Sequence, residues 1–345
     1  MQEISLSKIK IIPDIQSVRR EKINDEVYFS SEYSDYISNS RLKLINPDQD
    51  GSPSKYKNGF TDETTTSLSI GSVVHELLLQ PDKFELGPDL NKPNAKLGLV
   101  VDVIKKARKH GKTIYESILE ASSKVDYYEG SLNNKRIRKM LESGFQYYWN
   151  SRNIKDDVIL LSNKDRETVD FCLWSLKNHK RIVNLLFPKD IFDSPVPSYN
   201  EDAFFINLNC TLDNKNCTLK LKMKADNWTL NTFDKILTLN DLKTTGHGFS
   251  TFMDPNGSFK KFHYARQFAF YRWILEKYCE KECGYDKSWT TQCNVIVVET
   301  CPDNRAGIYP VADTLIVDGF KEFVRLLKMV AYCEMTEYSD DIIFI

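Results

Sequence analysis

The sequence predicts an α/β protein with a mixed central sheet flanked by helices. Three observations carry that expectation. Between Ala203 and Thr245, apolar residues recur with period two in three runs, AFFINLNCTL, CTLKLKMKAD and KILTLNDLKTT, as strands with one buried face require. A helix-length amphipathic stretch and a further apolar run, NVIVVET, follow them, so a strand, helix and strand adjoin the hairpins. Stretches of helical period, SLSIGSVVHELLLQPDKF early and FKEFVRLLKMVAYCEM late, bracket the strand region and supply apolar faces to cover it.

Each element has its own signal. The segment through Phe60 holds a turn-rich run, Asn46-Pro47-Asp48-Gln49-Asp50-Gly51-Ser52-Pro53, and reads as an irregular arm over residues 1–60. Residues 61–345 read as one domain with a helical insertion at about 88–190. In the early helix Val74, Leu77 and Leu78 share a face, Pro81 marks the end, and His75 is its one histidine. The insertion is lysine-rich, with short amphipathic pieces such as VVDVIKKARKHG and SILEASSKV. The stretch SNKDRETVDFCLWSLKNHKRIVNLLF reads as a single helix, with Ser162 as N-cap and Pro188 beyond its end. Asp213-Asn214-Lys215-Asn216 is a hairpin turn between the first two strands. The later helix spans roughly Phe262 to Cys279, and an amphipathic helix fills most of the last stretch.

Composition narrows the function. With 41% hydrophobic and 28% charged residues the chain belongs with soluble globular proteins, not disordered ones. No apolar run approaches the roughly 18 residues of a membrane span, and the start, MQEISLSKIKIIPD, lacks the apolar core of a secretory signal. A cytoplasmic protein with no membrane partner is expected, in the host cytoplasm if a phage encodes it. The eight cysteines are scattered and read as reduced thiols. Cys279, Cys283, Cys293 and Cys301, with three, nine and seven residues between them, match neither a zinc pair nor a compact iron-sulfur run. A net charge of -1 gives no global basic field, so contact with DNA would have to come from local patches. The candidates are Lys105, Lys106, Arg108, Lys109 and Lys112; Lys135, Arg136, Arg138 and Lys139; and Lys260, Lys261 and Arg266. Such clusters are more often solvated helix faces.

The chemistry resides in two of the strands. In CTLKLKMKAD, Leu219, Leu221, Met223 and Ala225 share one face, while Lys220, Lys222, Lys224 and Asp226 share the other. In ILTLNDLKTT, Asp241 and Lys243 fall on one face, about 7 Å apart along a rigid strand. Two carboxylates from adjacent strands can hold a hard divalent cation through oxygen, and a nearby lysine can orient water or stabilise charge on a phosphate. A lone Asp-x-Lys is weak evidence. It gains weight from Asp226 at the end of the preceding strand, His75 on the early helix, and Gln267 and Tyr271 one turn apart in YARQFAFY.

The series GSVVHELLLQPDKF, KMKAD, DLKTT and YARQFAFY resembles the RecE (exonuclease VIII) nucleases of phages and prophages, a RecB-like branch of the PD-(D/E)XK group. YISNSRLKLINP and SNKDRETVDFCLWSLKNHK extend the likeness over most of the chain, with patchy similarity between Pro88 and Val158. The resemblance implies a PD-(D/E)XK, restriction-endonuclease-like core. It implies His75, Asp226, Asp241 and the Leu242 backbone carbonyl as metal ligands, with Lys243 as catalytic lysine. Gln267, Tyr271, Lys222, Lys224, Glu201 and Thr244 would line the substrate side, with Lys222 and Lys224 touching phosphate and Glu201 standing before the first strand. The implied cofactor is Mg²⁺, with Mn²⁺ as substitute. The implied partners are double-stranded DNA ends, a single-strand annealing protein and further copies in a ring-like homo-oligomer, and the implied polarity is 5′ to 3′. The chain departs from the family at Ala225, at a longer link NWTLNTFDK and at Gly246-His247-Gly248, which bears on how DNA is positioned.

His247 reads as a surface-loop residue, and Trp228, Trp273 and Trp289 as packing residues. The phenylalanines Phe249, Phe252, Phe259 and Phe262 form a candidate wedge for DNA ends. Two other functions compete with the exonuclease: a structure-specific or single-strand endonuclease on the same core, and a catalytically silent binding module.

Overall fold

The computed structural model describes residues 2–345 other than 60–69, 89, 94, 126–134, 136, 137, 139, 141, 143, 156, 157, 191, 302 and 304. The strands are β1 (Gln2–Ile4), β2 (Lys10–Glu21), β3 (Glu85–Leu86), β4 (Val158–Ile159), β5 (Ser198–Leu212), β6 (Lys215–Asn231), β7 (Ile236–Thr245), β8 (Thr290–Glu299), β9 (Ala306–Pro310) and β10 (Ile342–Phe344). The principal helices are α1 (Ile70–Leu79), α2 (Ala95–Lys109), α3 (Ile114–Lys124), α4 (Phe145–Ser151), α5 (Asn163–Asn178), α6 (Lys180–Leu186), α7 (Tyr264–Glu282) and α8 (Asp313–Met335). The chain divides into two compact units: residues 1–63, 176–299 and 305–345 form the first, and residues 64–175 and 300–304 the second.

The first unit is built on a six-stranded sheet in the order β2-β5-β6-β7-β8-β9. The sheet is mixed, because β7 and β8 run parallel while every other neighbouring pair is antiparallel. A tight hairpin joins β5 to β6 across Leu212↔Lys215, with Asp213 taking the left-handed conformation (φ 50°) that such turns use. A parallel pair cannot be joined by a hairpin, and α7 supplies the crossover from β7 to β8. The period-two pattern seats Phe204, Ile206 and Leu208 of β5 and Leu219, Leu221 and Met223 of β6 in one core. Phe268 and Phe270 of α7 and Phe323 and Leu326 of α8 join them there. Where α7 and α8 pack, a methyl group built on Gly319 would lie 2.2 Å from the Ala265 carbonyl oxygen, so only glycine permits this approach.

Several expectations are corrected. Residues 1–60 are no arm: β2 pairs with β5 as an edge strand, interrupted by a register shift between Asp14 and Arg19. Glu201 lies within β5, not before it, and Asp226 lies inside β6, which continues through Asn227–Asn231, so most of the supposed link NWTLNTFDK is strand. The helix expected from Ser162 is two, α5 and α6, separated at His179, whose ring accepts the Ile182 N–H as a cap. Ser162 does cap α5, accepting the Asp165 N–H at 3.2 Å.

The second unit is helical with a two-residue parallel ladder between β3 and β4. Its own core gathers Val100, Val101 and Ile104 of α2, Ile118 and Ala121 of α3, and Tyr147 of α4. Thr113 and Glu116 form a reciprocal capping box at the start of α3. Among the described residues no helix is long and apolar enough to cross a membrane.

Candidate active site

The site forms where the central sheet forks. Pairing between β6 and β7 runs from Asn231↔Ile236 to Asn227↔Asn240 and stops there, while β7 continues beside β8 as far as Thr245↔Glu299. Beyond the fork the backbone N–H of Leu242 has lost its β6 partner, and the Asp226 carboxylate takes it, accepting at 2.8 Å. Burial raises the Asp226 pKa, opposed by Lys243, by the Leu242 N–H and by Lys224. An asparagine ladder crosses the sheet next to the fork: Asn240 donates to Asn227 at 2.8 Å and Asn294 donates to Asn240 at 3.0 Å. Asn227 and Asn240 are the chain neighbours of Asp226 and Asp241, so the ladder fixes the backbone that presents both carboxylates.

Glu201 stands opposite Asp226 on β5, in a left-handed conformation (φ 56°) that a non-glycine residue adopts only under constraint. A Glu201 carboxylate oxygen comes within 4.8 Å of one on Asp226. Lys224 holds Glu201 through an ion pair of 2.7 Å and also reaches Asp25 at 2.5 Å. Lys224 thus positions an acid, an engagement the sequence did not disclose.

On β7, Lys243 Nζ lies 2.5 Å from Asp241 Oδ2 and 5.2 Å from the centre of the Tyr264 ring. Burial alone would lower the lysine's pKa, but Asp241 and Asp226 outweigh it and the net shift is upward. The group is therefore an ammonium ion. Gln267 Nε2 donates to the other Asp241 oxygen at 2.8 Å. Tyr271 is held well above the ordinary phenol pKa, first by burial and then by Tyr28, Asp241, Asp226 and Glu201, so its hydroxyl remains a donor. Tyr264, Gln267 and Tyr271 stand at i, i+3 and i+7 on α7, one stripe facing the DxK strand. Tyr264 was not singled out from the sequence, although that spacing could have found it.

Three carboxylates, Glu201, Asp226 and Asp241, thus gather at the fork with two ammonium groups, Lys224 and Lys243. All three acids are oxygen donors of the kind that suit a hard divalent cation. The Leu242 side chain is buried, and its N–H is the group seen to bond Asp226. His75 is half-buried on α1 in the second unit, on a helix whose Val73, Val74, Leu77 and Leu78 are buried. Thr244 lines a cavity of about 560 Å³ just past Lys243, with Thr245, His247, Asn256 and Lys261.

Other sequence candidates are placed elsewhere. Lys222 is only 6% exposed, and its ammonium donates to the carbonyls of Tyr28 and Tyr33 at 2.8 and 2.9 Å. A phosphate contact by Lys222 is therefore corrected to a role in anchoring the 28–33 segment. Phe252 and Phe259 are core residues and Phe249 stacks on Tyr309, leaving only Phe262 exposed, which overturns the wedge. Arg266 is 1% exposed and bound to Glu322, Asn39 and Gln49, so it belongs to no surface patch. Arg136 and Lys139 of another patch lie outside the described residues. Trp228 is buried, donating its indole N–H to Asp202 at 2.9 Å, and His247 is an exposed loop residue. Cys210, Cys217, Cys279, Cys283, Cys293, Cys301 and Cys333 are free thiols.

No protein family and no curated protein matches the chain. Among solved structures, it is similar to a protein of Eubacterium rectale provisionally described as an exonuclease, at 11% identity and a TM-score of 0.42, covering 92% of this chain and 89% of that one. It is also similar to Scheffersomyces stipitis Rai1, at 9% identity and a TM-score of 0.23, covering 98% of this chain and 88% of that one.

Proposed function

We propose that the chain is a Mg²⁺-dependent DNA exonuclease on a PD-(D/E)XK core, degrading one strand of linear duplex DNA from an end. The observation that supports this best is the fork itself. Asp241 and Lys243 share one face of β7, Asp226 reaches across from β6 to the Leu242 N–H, and Glu201 closes the acidic group. Asp226, Asp241, the Leu242 carbonyl and, from the family resemblance, His75 would hold the ion, with Mn²⁺ an acceptable substitute. When bound, the cation would neutralise charge developing on the scissile phosphate and make a water more acidic.

The protein's own groups do the rest. Lys243, kept cationic by its two carboxylates, stabilises negative charge on a phosphate oxygen. Gln267 fixes the rotamer of Asp241 by donating to one oxygen and leaving the other toward Lys243. Lys224 fixes Glu201. Tyr271, a protonated phenol, is a donor available to the substrate. The 5′ to 3′ polarity, the annealing-protein partner and the ring-like homo-oligomer belong to the same proposal through the family resemblance.

Asp241→Ala tests the reading. It should abolish Mg²⁺-dependent degradation of linear duplex DNA while the melting transition persists, and retained activity would reject the site. Covalently closed circular DNA separates the rival endonuclease: an end-dependent enzyme leaves it intact.

A further inference from the structure

The second unit holds a cleft of about 300 Å³ into which three separate segments send lysines: Lys92 from the stretch before α2, Lys105, Lys106 and Lys109 from α2, and Lys155 from the loop before β4. Its acidic lining is Glu76 and Asp102, and Asp102 pairs with Lys92 at 2.6 Å. Among the described residues, five lysines line the cleft against two acids, in a chain whose net charge is -1. Lysines in the last turn of α2 alone would be explained by the helix dipole. That account does not reach Lys92 or Lys155, which come from other elements to the same place.

Phe84, Val158 and Leu160 line the same cleft beside the lysines, and Lys92 also donates to the Leu160 carbonyl at 3.0 Å, so a ligand with anionic and flat apolar parts suits it better than a bare anion. Lys105 and Lys109 are one helical turn apart, a rise of about 6 Å, which suits ammonium groups meeting successive phosphates along a strand. A cleft of about 300 Å³ is on the scale of one strand's base and phosphate rather than of a whole duplex cross-section. We infer that this cleft of the helical unit binds single-stranded DNA, with phosphates on Lys105, Lys106 and Lys109 and a base against Phe84. The inference goes beyond the nuclease reading and does not depend on it. If both hold, the cleft gives the strand spared by degradation a place to be retained.

The test is binding of a fluorescent oligothymidylate to the full chain in EDTA, followed by anisotropy across a range of salt. Replacing Lys105, Lys106 and Lys109 together by glutamine should weaken binding by about tenfold or more and make the slope of log K against log salt shallower by about 2, at roughly 0.7 per lost contact. A charge-matched control, Lys277, Lys287 and Lys321 to glutamine on the first unit, should bind as the wild type does. Melting curves of both variants report folding, and Phe84→Ala serves as a second probe that leaves the charge intact and should still weaken binding. Unchanged affinity and slope in the triple variant, or an equal loss in the control, overturns the inference. So does inorganic phosphate displacing the oligonucleotide at a concentration matched in phosphate groups, since that outcome marks a simple anion site. Nuclease activity plays no part in the readout, so an inactive protein that still binds through these lysines sinks only the nuclease proposal.

Discussion

Replacing Asp226 by asparagine should make the metal-free protein more stable while removing its response to Mg²⁺. The Asp226 carboxylate is buried, and burial raises its pKa against the pull of Lys243, the Leu242 N–H and Lys224, so its surroundings as a whole oppose the charge. Glu201 adds repulsion from within 4.8 Å. Two unit charges at that separation repel by about 3.5 kcal/mol at an effective dielectric of about 20. Lys224 and Lys243 offset part of this, leaving a gain of about 1–2 kcal/mol on neutralisation. Asparagine keeps the oxygen that accepts the Leu242 N–H, so the fork retains that link. For a domain of this size the gain corresponds to a rise in Tm of about 2–6 °C. Thermal melting at neutral pH in EDTA, and again with excess Mg²⁺, measures both effects. The wild type should gain stability with Mg²⁺ by mass action and the variant should gain little. A variant that melts several degrees lower in EDTA would show that Asp226 serves the fold and not an ion.

Gly319→Ala should destabilise by about 2 kcal/mol or more, since the new methyl meets the Ala265 backbone of α7 and not a movable side chain; chemical denaturation measures it. Arg266→Met should cost about 1–3 kcal/mol by leaving Glu322 with His263 and Asn46 but without its guanidinium, seen in the same experiment. The Glu322 carboxyl is itself lowered, because His263 and Arg266 outweigh the upward effect of burial. Its contribution is therefore present above the ordinary carboxylate range and is lost as pH falls through its folded pKa. The Tm difference between wild type and Glu322→Gln should accordingly shrink toward zero on acidification. Phe252→Ala should lower stability by about 3–5 kcal/mol as a core truncation; unaltered melting with altered processing of DNA ends would restore the wedge.

Much of the sheet was legible because its signal is local. Exposed and buried residues alternate at the start of β6, Thr218 to Leu221, while the middles of β5 and β7 are buried on both faces; Asp241 and Lys243 fall two apart on a strand whatever surrounds them. What stayed hidden depends on partners distant in sequence. β2 has no clean alternation, since it is an edge strand with Pro13 and a register shift, and only its pairing with β5 nearly two hundred residues later defines it. Lys222 reads as a surface base until the carbonyls of Tyr28 and Tyr33 close over it. Arg266 reads as part of a basic run until Glu322 arrives from α8. The left-handed Glu201 has no sequence signature, because its conformation answers to Lys224 and to the irregular β5–β6 pairing around Asp226.

The proposed function requires the acids at the fork to serve a divalent ion in cutting DNA from an end. Incubating 5′-labelled and 3′-labelled linear duplexes with the protein, in Mg²⁺ or in EDTA, separates this from any metal-independent process. Rapid release of the 5′ label as short products is expected in Mg²⁺ and none in EDTA. Degradation that proceeds undiminished in EDTA, or no degradation with either Mg²⁺ or Mn²⁺, would contradict it.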